Sequence, residues 1–381
     1  MKTGFPRLPL LLALACLAGN AAGAGPTRIA VIYAETEAVA GGGVANLIGS
    51  IENTPGVEVL RVNLDAPRDE IVSQLLLAAG PGGPVRLAAA GGTMGPIAVI
   101  YPDIGEPYRS VFSKIIEGIE DRAKTRVAAY AVGNSFNAQE LSGELKKQDI
   151  RVVIALGRNG LKAASTLDKE IGVVASGVIS VPENEVRAGP ILSLAPDPAL
   201  LFARLKAISP TTRRVVVIYE PRQNAWLIRL AKEAARNAGY ELVAQEAADL
   251  KAAVFLYQGF FAEADGKRDA LWLLQDSTTA DEATILPLVL QESWNRMIPV
   301  FSSSVSHVKR GALFALYPNN IELGRNLANS ALNIAGGNQP NRGVLPLRDV
   351  LTAFNTRTAS HLGLARGSSP LPAFDLTFPE Q

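Results

Sequence analysis

Cysteine and histidine are almost missing from this sequence. Its 381 residues include one cysteine, Cys16, and two histidines, His307 and His361. A single cysteine can form no intramolecular disulfide, so the fold must be stabilised by hydrophobic cores. Two histidines exclude a His-rich metal site and disfavour a Ser-His hydrolase, and the sequence has neither a Walker A nor an HExxH motif. We therefore predict no metal, no cofactor and no catalytic residues.

An excess of charge of either sign is also missing. The chain has 37 Lys and Arg residues against 36 Asp and Glu residues, so it offers no large basic face for phosphates, and we do not expect it to bind nucleic acid. Hydrophobic residues make up 48% and charged residues 19%, which is typical of chains with packed cores. The length exceeds what one core usually serves. These features predict a globular protein of two domains.

Apolar runs long enough to span a bilayer, which takes roughly 20 residues, are absent as well. A run of about 11 residues, 8–18, follows two basic residues and precedes the small residues that end at Ala24. This pattern is typical of a signal peptide, and it predicts cleavage after Ala24 and export to the periplasm or the medium. Two alternatives stay open: an uncleaved anchor, and a lipoprotein attached through Cys16. Ala13 stands where a bacterial lipobox usually has Leu.

Three segments share a pattern of four apolar residues that end in Tyr: 29–33, 97–101 and 215–219. Short β-branched runs without polar alternation are typical of parallel strands that helices cover on both faces. Turn residues and apolar residues at helical spacing follow the second segment, which predicts a βαβ unit.

Predicted strands and helices alternate over most of the remaining chain. The first series has strands at 97–101, 127–132, 152–156 and 173–178, with helices over 111–119, 138–147 and 161–169. The second series has strands at 215–219, 241–245, 270–274, 299–301 and 311–316, with helices over 225–238, 285–296 and 319–336. The predicted fold class is therefore α/β, with two doubly wound parallel-sheet lobes.

Proline and polar residues over 182–198 indicate a hinge crossover between the two series. Before the first series, strand-like 29–33 and 57–62 and helix-like 71–78 indicate an accessory βαβ element or a partial duplication. The predicted organisation is a signal peptide at 1–24, an accessory βα segment at 27–95, a first lobe at 96–194 with part of 318–340, a second lobe at 195–317 with part of 341–366, and an extended, mobile tail at 367–381.

Candidate site residues follow from the rule that open α/β sheets bind ligands beyond the carboxyl ends of their strands. An amino acid offers an ammonium group and a carboxylate, which makes Asp276, Arg158 and Ser302 suitable partners. The alternative is that these polar residues merely fill loops. The full set of candidates in the first lobe is Asp103, Arg158, Asn159 and Ser176, and in the second lobe Glu220, Gln223, Asn224, Asp276, Ser277 and Ser302.

Over residues 97–364 several short motifs follow one another in a recognisable order and spacing. They are Asp269-Ala270-Leu271-Trp272, Gln275-Asp276-Ser277, Ile298-Pro299-Val300-Phe301, Lys309-Arg310-Gly311-Ala312, Glu322-Leu323-Gly324-Arg325, and the stretch 355–364 with Thr358-Ala359 before Leu362-Gly363. Through these motifs the chain resembles the substrate-binding proteins of ABC transporters with the type I periplasmic-binding fold, especially the TrpX-like group. Residues 27–95 fall outside the resemblance.

The resemblance implies two lobes joined by three crossover strands, which clamp a ligand by hinge closure without catalysis. It implies a monomeric periplasmic protein that delivers a small polar or amino-acid-like ligand to an ABC permease in the inner membrane. Relatives usually carry small Thr, Pro and Ala residues where this chain has Arg158 and Asn159, so an aromatic amino acid fits less well. Two alternatives are a sensory or interaction module that signals to a membrane partner through residues 27–95, and an exported enzyme.

Overall fold

The computed structural model describes residues 13–17, 27–33, 57–63, 95–179, 190–338, 343–364 and 374–379. The chain divides into two compact units. One consists of Met1–Thr93 with Ala129–Val132, and the other of Met94–Ala128 with Gly133–Gln381.

Three strands are described in the N-terminal part: β1 (Ala13–Leu17), β2 (Thr27–Tyr33) and β3 (Val57–Asn63). Strand β1 runs antiparallel to β2, and β2 runs parallel to β3. The strands predicted at 29–33 and 57–62 are thus present. The predicted cleavage site at Ala24 and the helix predicted at 71–78 lie outside the described residues.

Strands and helices alternate from residue 97 onward, as the buried β-branched runs predict. The elements as far as the middle of the chain are β4 (Ile97–Pro102), α1 (Tyr108–Ala123), β5 (Ala128–Val132), α2 (Ala138–Lys147), β6 (Val152–Leu156), α3 (Gly157–Ala164), β7 (Gly172–Ser176) and β8 (Pro190–Pro196). Those that follow are α4 (Pro198–Ile208), β9 (Arg214–Tyr219), α5 (Pro221–Ala238), β10 (Glu241–Glu246), α6 (Leu250–Glu263), β11 (Asp269–Leu273), α7 (Ile285–Asn295), β12 (Val300–Ser302), α8 (Val305–Arg310) and β13 (Phe314–Pro318). The last are α9 (Asn320–Ala335), β14 (Gly343–Leu347), β15 (Val350–Asn355), α10 (Thr356–His361) and β16 (Leu376–Phe378).

These strands form two sheets. The first lobe has six strands in the order β14-β8-β7-β6-β4-β5, and the second has seven in the order β10-β9-β11-β12-β13-β15-β16. Neighbours run parallel from β14 to β4 and from β10 to β13, whereas β15 runs antiparallel to β13. The predicted fold class, α/β with two doubly wound lobes, is confirmed.

Each of these two sheets buries apolar side chains against helices. In the second lobe, successive residues of β11 serve opposite faces: Trp272 packs with Phe202 of α4, and Leu271 packs in the cluster that contains Ile285 of α7. This double burial explains why the strand shows no polar alternation in sequence. In the first lobe, Ile97 and Ile154 pack in one cluster with Leu323 of α9.

The chain passes between the lobes three times, at 196–198, 318–320 and 347–350. The passages are hydrogen-bonded to one another. The Asp197 backbone N–H donates to the Leu347 carbonyl (2.8 Å), and the Asn319 backbone N–H donates to the Asp349 carbonyl (3.0 Å). Three short, mutually bonded connections are the arrangement in which two lobes rotate about a hinge.

Several predicted boundaries need correction. The helix predicted at 161–169 is α3, Gly157–Ala164, which begins directly after β6. The proline-rich crossover predicted at 182–198 contains strand β8, while residues 180–189 lie outside the described part. In the tail predicted to be mobile, β16 pairs with β15 and Phe378 is buried. Helices α4, α6 and α8 and strands β14 and β15 were not among the predicted elements.

Of the helices in the described ranges, none has the length and apolar character that crossing a membrane requires.

Candidate functional site

The candidate site residues lie at the carboxyl ends of the parallel strands, as the topology of the two sheets requires. In the second lobe, Glu220 follows β9, Asp276 follows β11, and Ser302 ends β12. Strands β9 and β12 both neighbour β11 in the sheet. The three residues therefore share one edge, where loops and helix N-termini converge.

Asp276 is the centre of a hydrogen-bonded network in the second lobe. It is buried, and its carboxylate accepts from the Glu220 backbone N–H (3.0 Å), from Asn224 Nδ2 (2.8 Å), and from the backbone N–H groups of Thr278 (2.7 Å) and Thr279 (3.2 Å). Four donors satisfy both carboxylate oxygens. Asn224 and Asp276, predicted separately from two loops, are thus direct partners.

Glu220 caps helix α5. Its carboxylate accepts from the Gln223 backbone N–H (3.0 Å) and from Arg222 Nε (2.8 Å). Burial raises the pKa of Glu220, but the hydrogen bonds from Arg222 and from the backbone outweigh it and hold the pKa below its usual value. Glu220 is therefore an anion that its own helix and Arg222 already neutralise.

Ser302 and His307 form a buried pair at the end of β12. Ser302 Oγ lies 2.7 Å from His307 Nδ1, and the Ser304 backbone N–H donates to the same Oγ (3.3 Å). Burial is the main cause that lowers the pKa of His307 to about 4; Glu282 raises it slightly and Arg310 lowers it. His307 is therefore a neutral hydrogen-bonding partner at neutral pH.

The lowered pKa of His307 gives the fold a pH dependence. The unfolded chain binds a proton on this side chain below about pH 6.5, while the folded chain does so only below about pH 4. Since the unfolded state binds more protons in between, the free energy of unfolding falls as pH drops from about 6.5 to about 4, by up to about 3 kcal/mol. His307→Asn, which keeps a polar atom near Ser302, should lessen this fall. Urea unfolding of the parent protein and of His307→Asn at pH 7, 5.5 and 4.5 measures the fall in the free energy of unfolding.

His361 supplies the control for that measurement. It is half-buried on α10, where its ring stacks on Trp294 with 3.6 Å between centroids. His361→Asn should leave the contribution of His307 in place. An equal fall in stability in the parent protein and in His307→Asn would show that other groups cause the acid sensitivity.

In the first lobe, two of the candidates contact neighbouring groups of the same lobe. Ser176 is fully buried, and its hydroxyl donates to the Leu192 carbonyl (2.7 Å). Asn159 Nδ2 donates to Asn134 Oδ1 (3.4 Å), and Lys162 Nζ lies 3.4 Å from the Asn134 carbonyl. Asn159, Lys162 and Asn134 thus form one polar group beside the carboxyl ends of β5 and β6.

Asp103 and Arg158 are exposed, and neither pairs with a charge on the part of the chain that the structure describes. Asp103 follows β4, and Arg158 follows β6, which pairs with β4 in parallel register. Neither side chain forms an ion pair or hydrogen bond with any residue that the structure describes. A carboxylate and a guanidinium without partners in the described ranges therefore lie at the ends of neighbouring strands. In the second lobe, Ser277 is exposed and Gln223 half-buried.

Asn134 and the role of His307 were not predicted from the sequence. Asn134 comes two residues after β5, so the same strand-end rule, applied to β5, finds it. His307 comes five residues after Ser302, and only the turn into α8 brings the two together. No sequence signal predicts that contact.

Side chains that could bind a metal ion are not clustered in the described parts of the chain. The residues that it describes hold no group of three or more His, Cys, Asp or Glu side chains that could bind a metal ion. The polar groups at both sheet edges can instead donate and accept hydrogen bonds and pair with ligand charges.

A solved structure of low sequence identity has the same fold, and two others are similar over most of their length. The ligand-free, open structure of a substrate binding protein with adhesive properties from Clostridium difficile is 18% identical, with a TM-score of 0.52, over 74% of this chain and 99% of that one. An ABC domain in complex with L-Trp from Streptococcus pneumonia is 16% identical over 72% and 95% of the two chains, with a TM-score of 0.45. A conserved domain protein from Vibrio cholerae is 18% identical over 74% and 98%, with a TM-score of 0.46.

A search among curated proteins finds no match to the sequence. The family model of the ABC transporter substrate binding proteins matches residues 115–354. That range is more than half of the 381 residues and includes elements of both lobes. The chain belongs to the family of ABC transporter substrate binding proteins.

Proposed function

We propose that this chain is a periplasmic solute-binding protein that delivers a small polar or amino-acid-like ligand to an ABC permease, and that it acts by binding rather than by catalysis. Membership of the family supports a solute-binding role. The signal-peptide pattern that precedes Ala24 supports export.

One observation carries the ligand class: the unpaired Asp103 and Arg158 at the ends of β4 and β6. A carboxylate and a guanidinium without partners among the described residues complement the ammonium and carboxylate groups of an amino acid. The acidic groups of the second lobe are less available, because Asp276 accepts four hydrogen bonds and Glu220 pairs with Arg222. We therefore assign both charged ends of the ligand to the first lobe.

The second lobe then closes over the ligand. Asn224 and Asp276 form a hydrogen-bonded floor there, and Ser277 presents an exposed hydroxyl at the same edge. The three connections between the lobes supply the hinge. Ser176 and Ser302, whose hydroxyls already have partners, stabilise the strand ends that carry the site.

A thermal-shift screen of the mature protein against the amino acids tests this function. We expect at least one ligand to raise the melting temperature, and Arg158→Gln to weaken its binding at least tenfold, because a desolvated charge pair is lost. Arg151→Gln is the matched control. Arg151 also lies in the first lobe but precedes β6, at the opposite edge, where its guanidinium is 3.8 Å from Asp149.

Two results would contradict the proposal. One is the lack of stabilisation by any amino acid or small polar metabolite. The other is an equal loss of affinity in Arg158→Gln and Arg151→Gln. Transport and catalysis need separate readouts: deletion of the gene should reduce uptake of the radiolabelled ligand by cells, and mass spectrometry should recover the bound ligand chemically unchanged.

A further inference from the structure

A second pocket lies in the second lobe, at the opposite edge of the sheet from the candidate site. Its volume is about 700 Å³, within the usual range of small-molecule sites. Strand β15 runs antiparallel to β13, so Asn355, at the end of β15, lies at the amino end of β13, where its N–H donates to the Leu313 carbonyl (2.9 Å). Asn355 lines this pocket, which therefore lies at the amino end of β13, whereas Ser302 lies at the carboxyl end of the neighbouring strand β12.

The charged side chains that line the pocket are all cationic. Lys309 and Arg310, from the end of α8, and Arg357, from the start of α10, contribute three positive charges. No Asp or Glu is among the described residues that line it. Because the whole chain is balanced at 37 basic and 36 acidic residues, this concentration of one sign is local.

Two of these cations have no carboxylate partner in the described part of the chain. Arg310 contacts Glu282, through its carbonyl oxygen at 3.3 Å and its carboxylate at 3.9 Å. Lys309 and Arg357 are exposed, and neither pairs with a carboxylate of any residue that the structure describes. The Arg357 guanidinium lies 5.7 Å from the centre of the Trp294 ring, a cation–π contact that leaves its N–H groups available to an anion.

Apolar side chains form the rest of the wall. They include Leu290 and Trp294 of α7, and Phe378 and Pro379 near the end of the described chain. Trp294 is held by its stack on His361 and by a contact of its carbonyl oxygen with His361 Nε2 (2.9 Å). A fixed aromatic ring beside two unpaired cations complements a molecule with an apolar part and a negative end.

We propose that this pocket is a second binding site, specific for a small amphipathic carboxylate in which an apolar chain or ring lies along Trp294 and Leu290 and the carboxylate pairs with Lys309 and Arg357. The site is independent of the candidate site at the carboxyl edge, since none of its lining residues belongs to that set.

Octanoate is the probe, and isothermal titration on the full mature chain is the measurement. We expect octanoate to bind at least tenfold more tightly than 1-octanol, which lacks the charge, and than acetate, which lacks the chain. Lys309→Gln with Arg357→Gln should weaken octanoate binding at least tenfold. Trp294 is 37% exposed while Trp226 and Trp272 are buried, so octanoate should also change the tryptophan emission of the parent protein, and not that of Trp294→Phe.

Lys232→Gln with Lys267→Gln is the matched control, because both lysines are exposed residues of the second lobe and the net charge changes equally. This control and Arg158→Gln should both keep the parent affinity for octanoate. Far-ultraviolet circular dichroism should show that every variant is folded.

Four results would overturn the proposal. They are an absence of octanoate binding, equal affinity for octanoate and 1-octanol, equal loss in the pocket and control variants, and loss in Arg158→Gln alone, which would place octanoate at the first-lobe edge. Vesicles of phosphatidylglycerol provide a further arm. Binding to them that requires Lys309 and Arg357, without binding of octanoate, would identify a membrane surface as the partner instead.

Discussion

Gly324→Ala is expected to lower the free energy of unfolding by about 3 kcal/mol or more. Helices α1 and α9 approach each other closely in the first lobe at two glycines. A Cβ atom on Gly324 would lie 2.1 Å from the Ile115 carbonyl oxygen, and one on Gly118 would lie 2.0 Å from the Ile321 carbonyl oxygen. Both obstacles are backbone atoms, so no side-chain rotation relieves the clash and the helices must separate.

Separation of these helices would open the core of the first lobe, because Leu323 and Leu327 of α9 pack there with Ile115 and Ile119 of α1. Urea unfolding followed by circular dichroism measures the loss. Gly118→Ala should have a similar effect, and the double variant should cost less than the two single variants added together, since both disturb one contact.

Gly143→Ala is the control for this prediction. Gly143 also lies inside a helix, α2, but a Cβ atom there would meet nothing within 4 Å. The substitution should raise the free energy of unfolding by about 0.5–1 kcal/mol, because alanine is the better helix former. Parent-like stability of Gly324→Ala would contradict the close approach of α1 and α9.

Asp269→Ala is expected to destabilise the second lobe by about 3 kcal/mol, because it breaks a largely buried ion pair and leaves one partner uncompensated. Asp269 lies at the start of β11, and its side chain is fully buried. Its carboxylate accepts two hydrogen bonds from Arg214 of the neighbouring strand β9, at 2.8 and 2.5 Å. It also accepts from the Asp265 backbone N–H (2.8 Å). The alanine variant would remove the hydrogen bonds that Asp269 accepts from Arg214, whose side chain is 23% exposed, and from this N–H.

Asp168→Ala serves as the comparison. Asp168 forms an ion pair with Lys146 at 2.6 Å, but the two side chains are 49% and 65% exposed. Exposed pairs contribute at most about 1 kcal/mol. Denaturant unfolding of both variants under the same buffer conditions gives the two values, and a loss in Asp269→Ala as small as that in Asp168→Ala would contradict a structural role for the buried pair.

These two positions explain parts of the motifs by which the sequence resembles its family. The Glu322-Leu323-Gly324-Arg325 motif contains a core residue, the glycine of the helix contact, and Arg325, which binds Asp121 of α1 at 2.7 Å. Asp269 opens another motif and joins two strands 55 residues apart in the chain. The motifs therefore reflect packing between distant elements, which a sequence pattern records without showing the partner.

The sequence by itself determined the fold class and many of the elements, because burial on both faces leaves a visible pattern. Strand β6 and helix α2 have the predicted bounds, and α2 has its capping residue Asn137, which accepts from the backbone N–H groups of Gln139 and Glu140. The strand-end rule also selected Asn224 and Asp276, which bind each other. Helix α6 was within reach too, since its buried Ala253, Tyr257, Phe260 and Phe261 have helical spacing.

Only the tertiary structure decided the rest. Glycines at 157 and 160 are typical of a loop, yet α3 begins at Gly157. Glycine is needed at 160 because the helix packs closely on β4: a Cβ atom there would lie 2.7 Å from the Ile100 carbonyl oxygen. Strands β14 and β16 form by pairing with β8 and β15, which their own short sequences do not predict. The tertiary structure also determines which charged side chains have partners. Asp276 accepts hydrogen bonds from other loops, and Glu220 pairs with Arg222 of the helix that it caps. Asp103 and Arg158 have no partner among the described residues. Hydrogen-bond partners depend on which strand ends meet, and the sheet order sets that.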